Sequence, residues 1–206
     1  MIVISNHCER TVGAEVLREM FEERKRVFVD LLKWDVPVLA GRYEVDQFDT
    51  EHAAYIIITD DAGRHCGSAR LLPTDQAHIL DTFFQDLCDG APPTGPQTRE
   101  ITRFCLSRRL TARERLNTRN RLVTALAEYA LLNEVTTYTG VAEWGWFHQI
   151  LAFGWDCIPL GPVRRNGAGS LAALKISINN QTIEQLRSTG IYAPVSFHHL
   201  ADRSAV

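Results

Sequence analysis

Apolar residues in the first third of the chain recur first with a helical period and then with a strand period. Leu17, Phe21, Arg24 and Phe28 fall at spacings of three and four, which predicts one helix over about residues 12–28. Arg24 is the odd member of that stripe. Its guanidinium either snorkels at the rim of the core or meets a buried anion, and taken alone the pattern favours snorkelling. Residues 29–52 lack a period and contain Pro37 and Gly41, so they read as a long connection. Trp34, Tyr43 and Phe48 within it predict an ordered loop that covers something.

Residues 53–59 and 66–72 are strand-like and are joined by a good hairpin connection at 60–64. A short helical pattern covers 75–87, and a strand covers 100–106. The clearest second helix spans 115–133, followed by a strand at 136–142. A helix at 144–153 is stopped by Gly154, and strands follow at 155–160 and 171–178. A last helix at 180–188 ends at Gly190. This order predicts a mixed sheet flanked by helices, in an α/β or α+β layering, as a single domain over residues 1–206. No glycine-rich dinucleotide motif or P-loop follows the first strand, which counts against the nucleotide-binding folds.

Composition narrows the partners. With 206 residues, 45% hydrophobic and 23% charged, the chain has the make-up of a soluble globular protein. A net charge of -3 argues against nucleic acid as the main partner. The apolar runs are too short to span a membrane, and the first residues lack the pattern of a secretory signal. Cys8, Cys66, Cys88, Cys105 and Cys157 are scattered without a CxxC pair, which suits reduced, buried thiols in a cytoplasmic protein. The histidines show no metal-binding spacing, so no metal is expected.

Three regions carry candidate chemistry. Glu44, Asp46 and Asp49 place three carboxylates within six residues, near Trp34, Phe48 and Tyr55. Such a loop suits a cationic small molecule, although a solvated acidic loop has the same composition. In the 100–106 strand, regular alternation puts Glu100, Thr102 and Phe104 on one side and Ile101, Arg103 and Cys105 on the other. A charge on each side of a central strand is costly unless it is paired or lines a cavity. Glu100 is then a candidate general base with a raised pKa, and Arg103 a fork for a carboxylate. Equally, Glu100 can sit in water at the strand start beside a surface arginine. Arg70 needs a partner that the acidic loop can supply, since an exposed ion pair would contribute only about 0–1 kcal/mol. Finally, Arg108, Arg109, Arg113, Arg115, Arg119 and Arg121 face a single acid, Glu114, along one stretch. That asymmetry suits an acidic partner or a phosphate-bearing arm at a helix start.

Together these residues resemble the acyl-homoserine lactone synthases, the autoinducer synthases of bacterial quorum sensing. The matching pieces are Arg24-x-x-x-Phe28, Trp34, Glu44-x-Asp46-x-Phe48-Asp49, Ala69-Arg70-Leu71-Leu72-Pro73 and Glu100-x-x-Arg103-Phe104, over about residues 10–160. The resemblance implies a fold like the GCN5-related N-acetyltransferases, a twisted mixed sheet with a splayed V that admits a pantetheine arm. It implies S-adenosylmethionine as a substrate, with no cofactor, and an acyl thioester on acyl carrier protein or coenzyme A. The methionine amine would attack the thioester, and the substrate carboxylate would then displace 5′-methylthioadenosine to close the lactone.

The same resemblance assigns roles. Glu100, Arg70, Asp46 and Asp49 are the catalytic set, with Glu100 the base, directly or through a water. Arg24, Phe28, Trp34, Arg103 and Phe104 bind substrate. Arg108, Arg109, Arg113, Arg115 and Arg119 contact the carrier protein or coenzyme phosphates. Related synthases often carry a hydroxyl residue, tied to 3-oxo chains, where Val141 stands here, with Thr139 two positions earlier. Val141 is therefore expected to face an unsubstituted acyl chain, Trp144 and Phe147 either shape the same pocket or equally pack in the core, and no role is assigned beyond residue 161. Two alternatives stay open. One is a non-lactonising acyltransferase of the same fold, disfavoured by the lack of an Arg-x-x-Gly-x-Gly/Ala loop after the 100–106 strand. The other is a non-catalytic binding homologue.

Overall fold

The computed structural model describes residues 2–6, 13–167 and 169–199. Cys8 and the expected helix start at Val12 lie outside them. Two compact units are built from Met1–Leu71 with Arg103–Ala125 and Ala193–Val206, and from Leu72–Thr102 with Leu126–Tyr192.

In the first unit, α1 (Gly13–Arg24) runs into a π-helical segment, Lys25–Leu31. Leu17, Met20, Phe21, Arg24 and Phe28 make its buried stripe, as the spacing requires. The strands are β1 (Ile2–Asn6), β4 (Ala54–Thr59), β5 (His65–Pro73), β6 (Thr98–Leu106) and β11 (Phe197–His199), in the order β11-β1-β4-β5-β6. β4 is buried along its whole length, which explains its unbroken apolar run between two antiparallel neighbours. α3 (Ala112–Leu132) begins earlier than its apolar period indicates, because Thr111 and Glu114 form a capping box. Its first half lies tight on β5: a Cβ at Gly67 would stand 2.8 Å from the Thr118 methyl carbon. The aperiodic 29–52 stretch is not structureless, since β2 (Val38–Leu39) and β3 (Tyr43–Glu44) pair as a small ribbon.

The second unit contains the start of β6, which pairs in parallel with β7 (Thr137–Glu143) only from Thr98 to Glu100. β10 (Gly169–Ser177) pairs with β7, with β8 (Asp156–Pro159) and with the short β9 (Arg164–Asn166). α2 (Ile79–Phe83) and a 3-10 turn at Gln85–Leu87 bring Leu80 and Leu87 onto Ala173 of β10. α4 (Trp144–Leu151) and α5 (Thr182–Ser188) complete the unit. Gly154, at φ +98, follows α4 where a Cβ would meet the Gln185 carbonyl at 2.8 Å.

His65, at the start of β5, gives this fold a measurable pH dependence. Burial pushes its imidazole down from 6.5 to about 4, against a smaller opposing effect of Glu23. A group depressed on folding contributes stability in full above its unfolded value and loses it as pH falls to the folded value. At 1.36 kcal/mol per unit, the loss between about pH 6.5 and 4 is about 3 kcal/mol. Denaturant unfolding of His65→Gln is expected to show a flatter profile over that window, while an unchanged slope would exclude His65 as its source.

Candidate active site

A six-residue ion cluster occupies the first unit. Arg24 is 1% exposed, and its Nε donates to Glu44 Oε2 while Nη1 and Nη2 grip Asp49 at 2.8 and 3.0 Å. The snorkelling expectation for Arg24 is therefore corrected: at the end of α1, on its buried stripe, it meets two carboxylates. Arg70 Nη1 and Nη2 grip Asp46 at 2.6 and 3.0 Å, and Nη1 lies 2.8 Å from Asp49. Arg103 Nε donates to Glu44 at 3.0 Å and Nη2 to Asp46 at 2.7 Å. Three arginines thus oppose three carboxylates, so the loop acids do not stand open toward a cation as the sequence suggested. Charges this deep need partners inside the fold, and each acid has two.

The loop is also braced locally. Asp46 Oδ1 accepts the Phe48 N–H, and Asp49 Oδ2 accepts the Asp46 N–H. The Tyr55 hydroxyl donates to Asp49 Oδ1 at 2.8 Å. Burial alone would raise the Asp49 carboxyl, but the Arg24 and Arg70 charges hold it well below the usual carboxylate range. Burial and the Asp49 charge push the Tyr55 phenol up, so it stays a donor.

Arg103 sits at φ +52, and this breaks the regular alternation expected along β6. Burial alternates from Thr98 to Thr102 and then fails, with Arg103 and Phe104 both half-buried. A non-glycine residue at positive φ is costly, and the two carboxylates that meet the re-aimed guanidinium offset it. The guanidinium carbon lies 5.6 Å from the Phe28 ring and 6.0 Å from the Trp34 ring. Those rings stack at 4.8 Å, because the Trp34 N–H bonds the Phe28 carbonyl across the left-handed Lys33. Phe28, Trp34, Arg24, Arg70, Arg103, Asp46 and Asp49 are therefore brought together, with Glu44 as a full member.

Glu100 belongs to the second unit. It is fully buried, which rules out the solvated carboxylate beside a surface arginine and exceeds the half-burial expected of a base. Its two oxygens accept the Ile79 and Leu80 N–H groups at 2.8 and 3.0 Å. Val141 packs with Leu80, Leu87 and Ala173 in an apolar cluster that also takes Phe84, Cys88, Leu160 and Leu171. Trp144 and Phe147 stack on each other at 5.6 Å and are not members of that cluster. Of the arginine run, Arg109 is tied to Ser107 and the His65 carbonyl, Arg115 to the Ser107 carbonyl and Arg119 to Asn120. Arg108 and Arg113 are exposed.

The cysteines offer no activated nucleophile among the described residues. Cys66, Cys88, Cys105 and Cys157 are unbridged, and burial pushes all four thiols up, Cys105 and Cys157 to about 12. No helix of the described residues is long and apolar enough to cross a membrane.

Comparison with known proteins agrees with the motifs. A family model described as autoinducer synthase matches residues 8–185. An acyl-homoserine-lactone synthase of Ralstonia solanacearum is 41% identical over 83 residues, covering 39% of this chain and 41% of that protein. In its first such matches the chain spans about two fifths of the relative's length. An acyl-homoserine-lactone synthase of Agrobacterium fabrum is 28% identical over 205 residues, covering 92% of both chains. The solved structure of a CoA-dependent acyl-homoserine lactone synthase, MesI, superposes with a TM-score of 0.85 at 27% identity, over 98% of this chain and 100% of the other. A solved structure described as a putative N-acetyltransferase, from Lactobacillus plantarum, superposes with a TM-score of 0.54 at 14% identity over 87% of this chain and 98% of the other, so the expected acetyltransferase-like fold is present. On the match over residues 8–185, the chain belongs to the autoinducer synthase family.

Proposed function

We propose that this protein makes an N-acyl-homoserine lactone from S-adenosylmethionine and an acyl thioester. The observation that carries the reading is the ion cluster: every charged residue of the family motifs in the first unit is committed to it, and it fixes Arg103 over the Phe28–Trp34 stack. In this reading the clustered carboxylates set the arginine geometry, and the aromatic faces take the sulfonium. Arg103 uses Nε and Nη2 within the cluster, and its Nη1 meets the substrate carboxylate.

Glu100 takes the amine proton. The nitrogen attacks the thioester carbonyl, the thiol leaves, and the methionine carboxylate then displaces 5′-methylthioadenosine. Much of the rate comes from holding amine and thioester in reacting geometry. The acyl chain lies along Val141, Leu80, Leu87 and Ala173, extended by Phe84, Cys88, Leu160 and Leu171, so segments around residues 84–88 and 160–171 enter the pocket. Trp144 and Phe147, stacked on each other where β7 runs into α4, shape the path of the same chain. Acyl carrier protein or coenzyme A presents the thioester to Arg108 and Arg113. The protein works in the cytoplasm.

Expression in a host that makes no lactones, with mass spectrometry of the extract, tests the reading. A homoserine lactone with an unsubstituted acyl chain is expected, because Val141 offers no hydroxyl to a 3-oxo group. A mainly 3-oxo product would contradict the role given to Val141, and no lactone at all would contradict the function.

A further inference from the structure

Three buried polar residues of the second unit lie on segments that adjoin where the β6–β7 pairing ends. Glu100 and Thr139 are the last register partners of these parallel strands, so their side chains stand on one face. The Glu100 carboxylate holds the Ile79 and Leu80 N–H groups, which brings the preceding residue, His78, beside it. All three residues are buried, none more than 1% exposed. His78 Nδ1 lies 2.9 Å from the Gln76 carbonyl oxygen. A carbonyl only accepts, so Nδ1 is the donor, and in the neutral ring Nε2 is then the acceptor. Neither His78 Nε2 nor Thr139 Oγ1 has a hydrogen-bond partner among the described residues. Lys175, the register partner of Thr139 on β10, does not supply one. Buried polar atoms without partners are rare and call for a ligand or a water.

We propose that His78 and Thr139 are positioning residues that hold one water against Glu100, and that this water relays the proton of the substrate amine. The inference rests on the function proposed above. The water donates one hydrogen to His78 Nε2 and one to Glu100, and accepts from the Thr139 hydroxyl. Its remaining lone pair accepts the substrate ammonium N–H, giving four bonds, the upper end for a buried water. A carboxylate accepts about four hydrogen bonds, a capacity that includes a water beside the two α2 N–H groups.

The transfer balances. The ammonium proton passes to the water as the water's proton passes to Glu100, and nitrogen keeps its electron pair. That pair forms the C–N bond to the thioester carbonyl carbon. The C–S bond breaks, and sulfur leaves with its electrons and takes the second nitrogen proton. One proton remains on Glu100 for release to solvent.

The test is steady-state kinetics of the purified chain with S-adenosylmethionine and an acyl thioester that the wild type turns over. Thr139→Val and His78→Asn are expected to lower kcat at least about tenfold, with the S-adenosylmethionine KM within about twofold. Asn keeps a donor for the Gln76 carbonyl but loses the Nε2 acceptor. Thr139→Ser and His78→Gln restore the hydroxyl and an acceptor near Nε2, and should regain most of the rate. The double variant Thr139→Val with His78→Asn should be no slower than the slower single variant, because both act through one water. If Thr139→Val does not fold, Thr139→Cys, with only a weak donor, carries the same expectation.

Unchanged kcat in both singles would overturn the proposal. So would equal losses in Val and Ser, or losses confined to KM. A wild type that releases no 5′-methylthioadenosine would instead defeat the function itself, and this inference with it.

Discussion

Arg24→Met is expected to lower the unfolding free energy by about 3–5 kcal/mol, the range seen when one partner of a buried ion pair is removed. Methionine keeps much of the volume but leaves Glu44 and Asp49 buried without their principal counter-charge. Arg24→Lys should fall between wild type and Met, because an ammonium cannot reproduce the three-point contact of the guanidinium. Arg64→Met provides the contrast. Its partner Asp60 is on an exposed turn, so the loss should be within about 1 kcal/mol. Urea unfolding of the three variants checks the ordering, and a loss for Arg24→Met no larger than that for Arg64→Met would remove the cluster from its structural role.

Glu100→Gln is expected to reduce kcat at least about 100-fold, in the range for loss of a general base. The substitution also has a structural arm. An amide presents one oxygen to two backbone N–H groups, so one of the Ile79 and Leu80 donors loses its acceptor, at about 1–3 kcal/mol. The two arms separate cleanly. Weakened capping lowers the melting temperature and leaves turnover per folded molecule intact, whereas loss of the base lowers turnover in protein that is fully folded. Near-full kcat in folded Glu100→Gln would remove Glu100 from the base role.

Much of the site was legible because its residues are chemically out of place. An arginine in an apolar stripe and charges within a strand each demand a partner, and Arg24, Arg70, Arg103 and Glu100 stood out for that reason. How the charges pair was not legible. Pairing depends on how the 44–49 loop presents its carboxylates to Arg24 and on the positive φ of Arg103, and neither has a sequence signature. Strand parity failed at Arg103 for the same cause.

The helices and long strands followed their apolar periods to within a few residues. β1 and β11 were not read, since Ile2–Asn6 was weighed only as a leader and Phe197–His199 is too short for a period. The earlier start of α3 carried a readable signal in Thr111 and Glu114 that the apolar pattern overshadowed. The apolar cluster around Ala173 draws on four separate stretches of chain, and of its residues only Val141 was expected at an acyl chain. His78 gave no signal, because a histidine before a short helix looks like an ordinary loop residue.

The most direct measurement mixes purified protein, S-adenosylmethionine and an acyl thioester, and counts products. Lactone and 5′-methylthioadenosine should appear in equal amounts, and each should require both substrates. Acylated S-adenosylmethionine without 5′-methylthioadenosine, or no product from well-folded protein across a broad panel of acyl donors, would contradict the account.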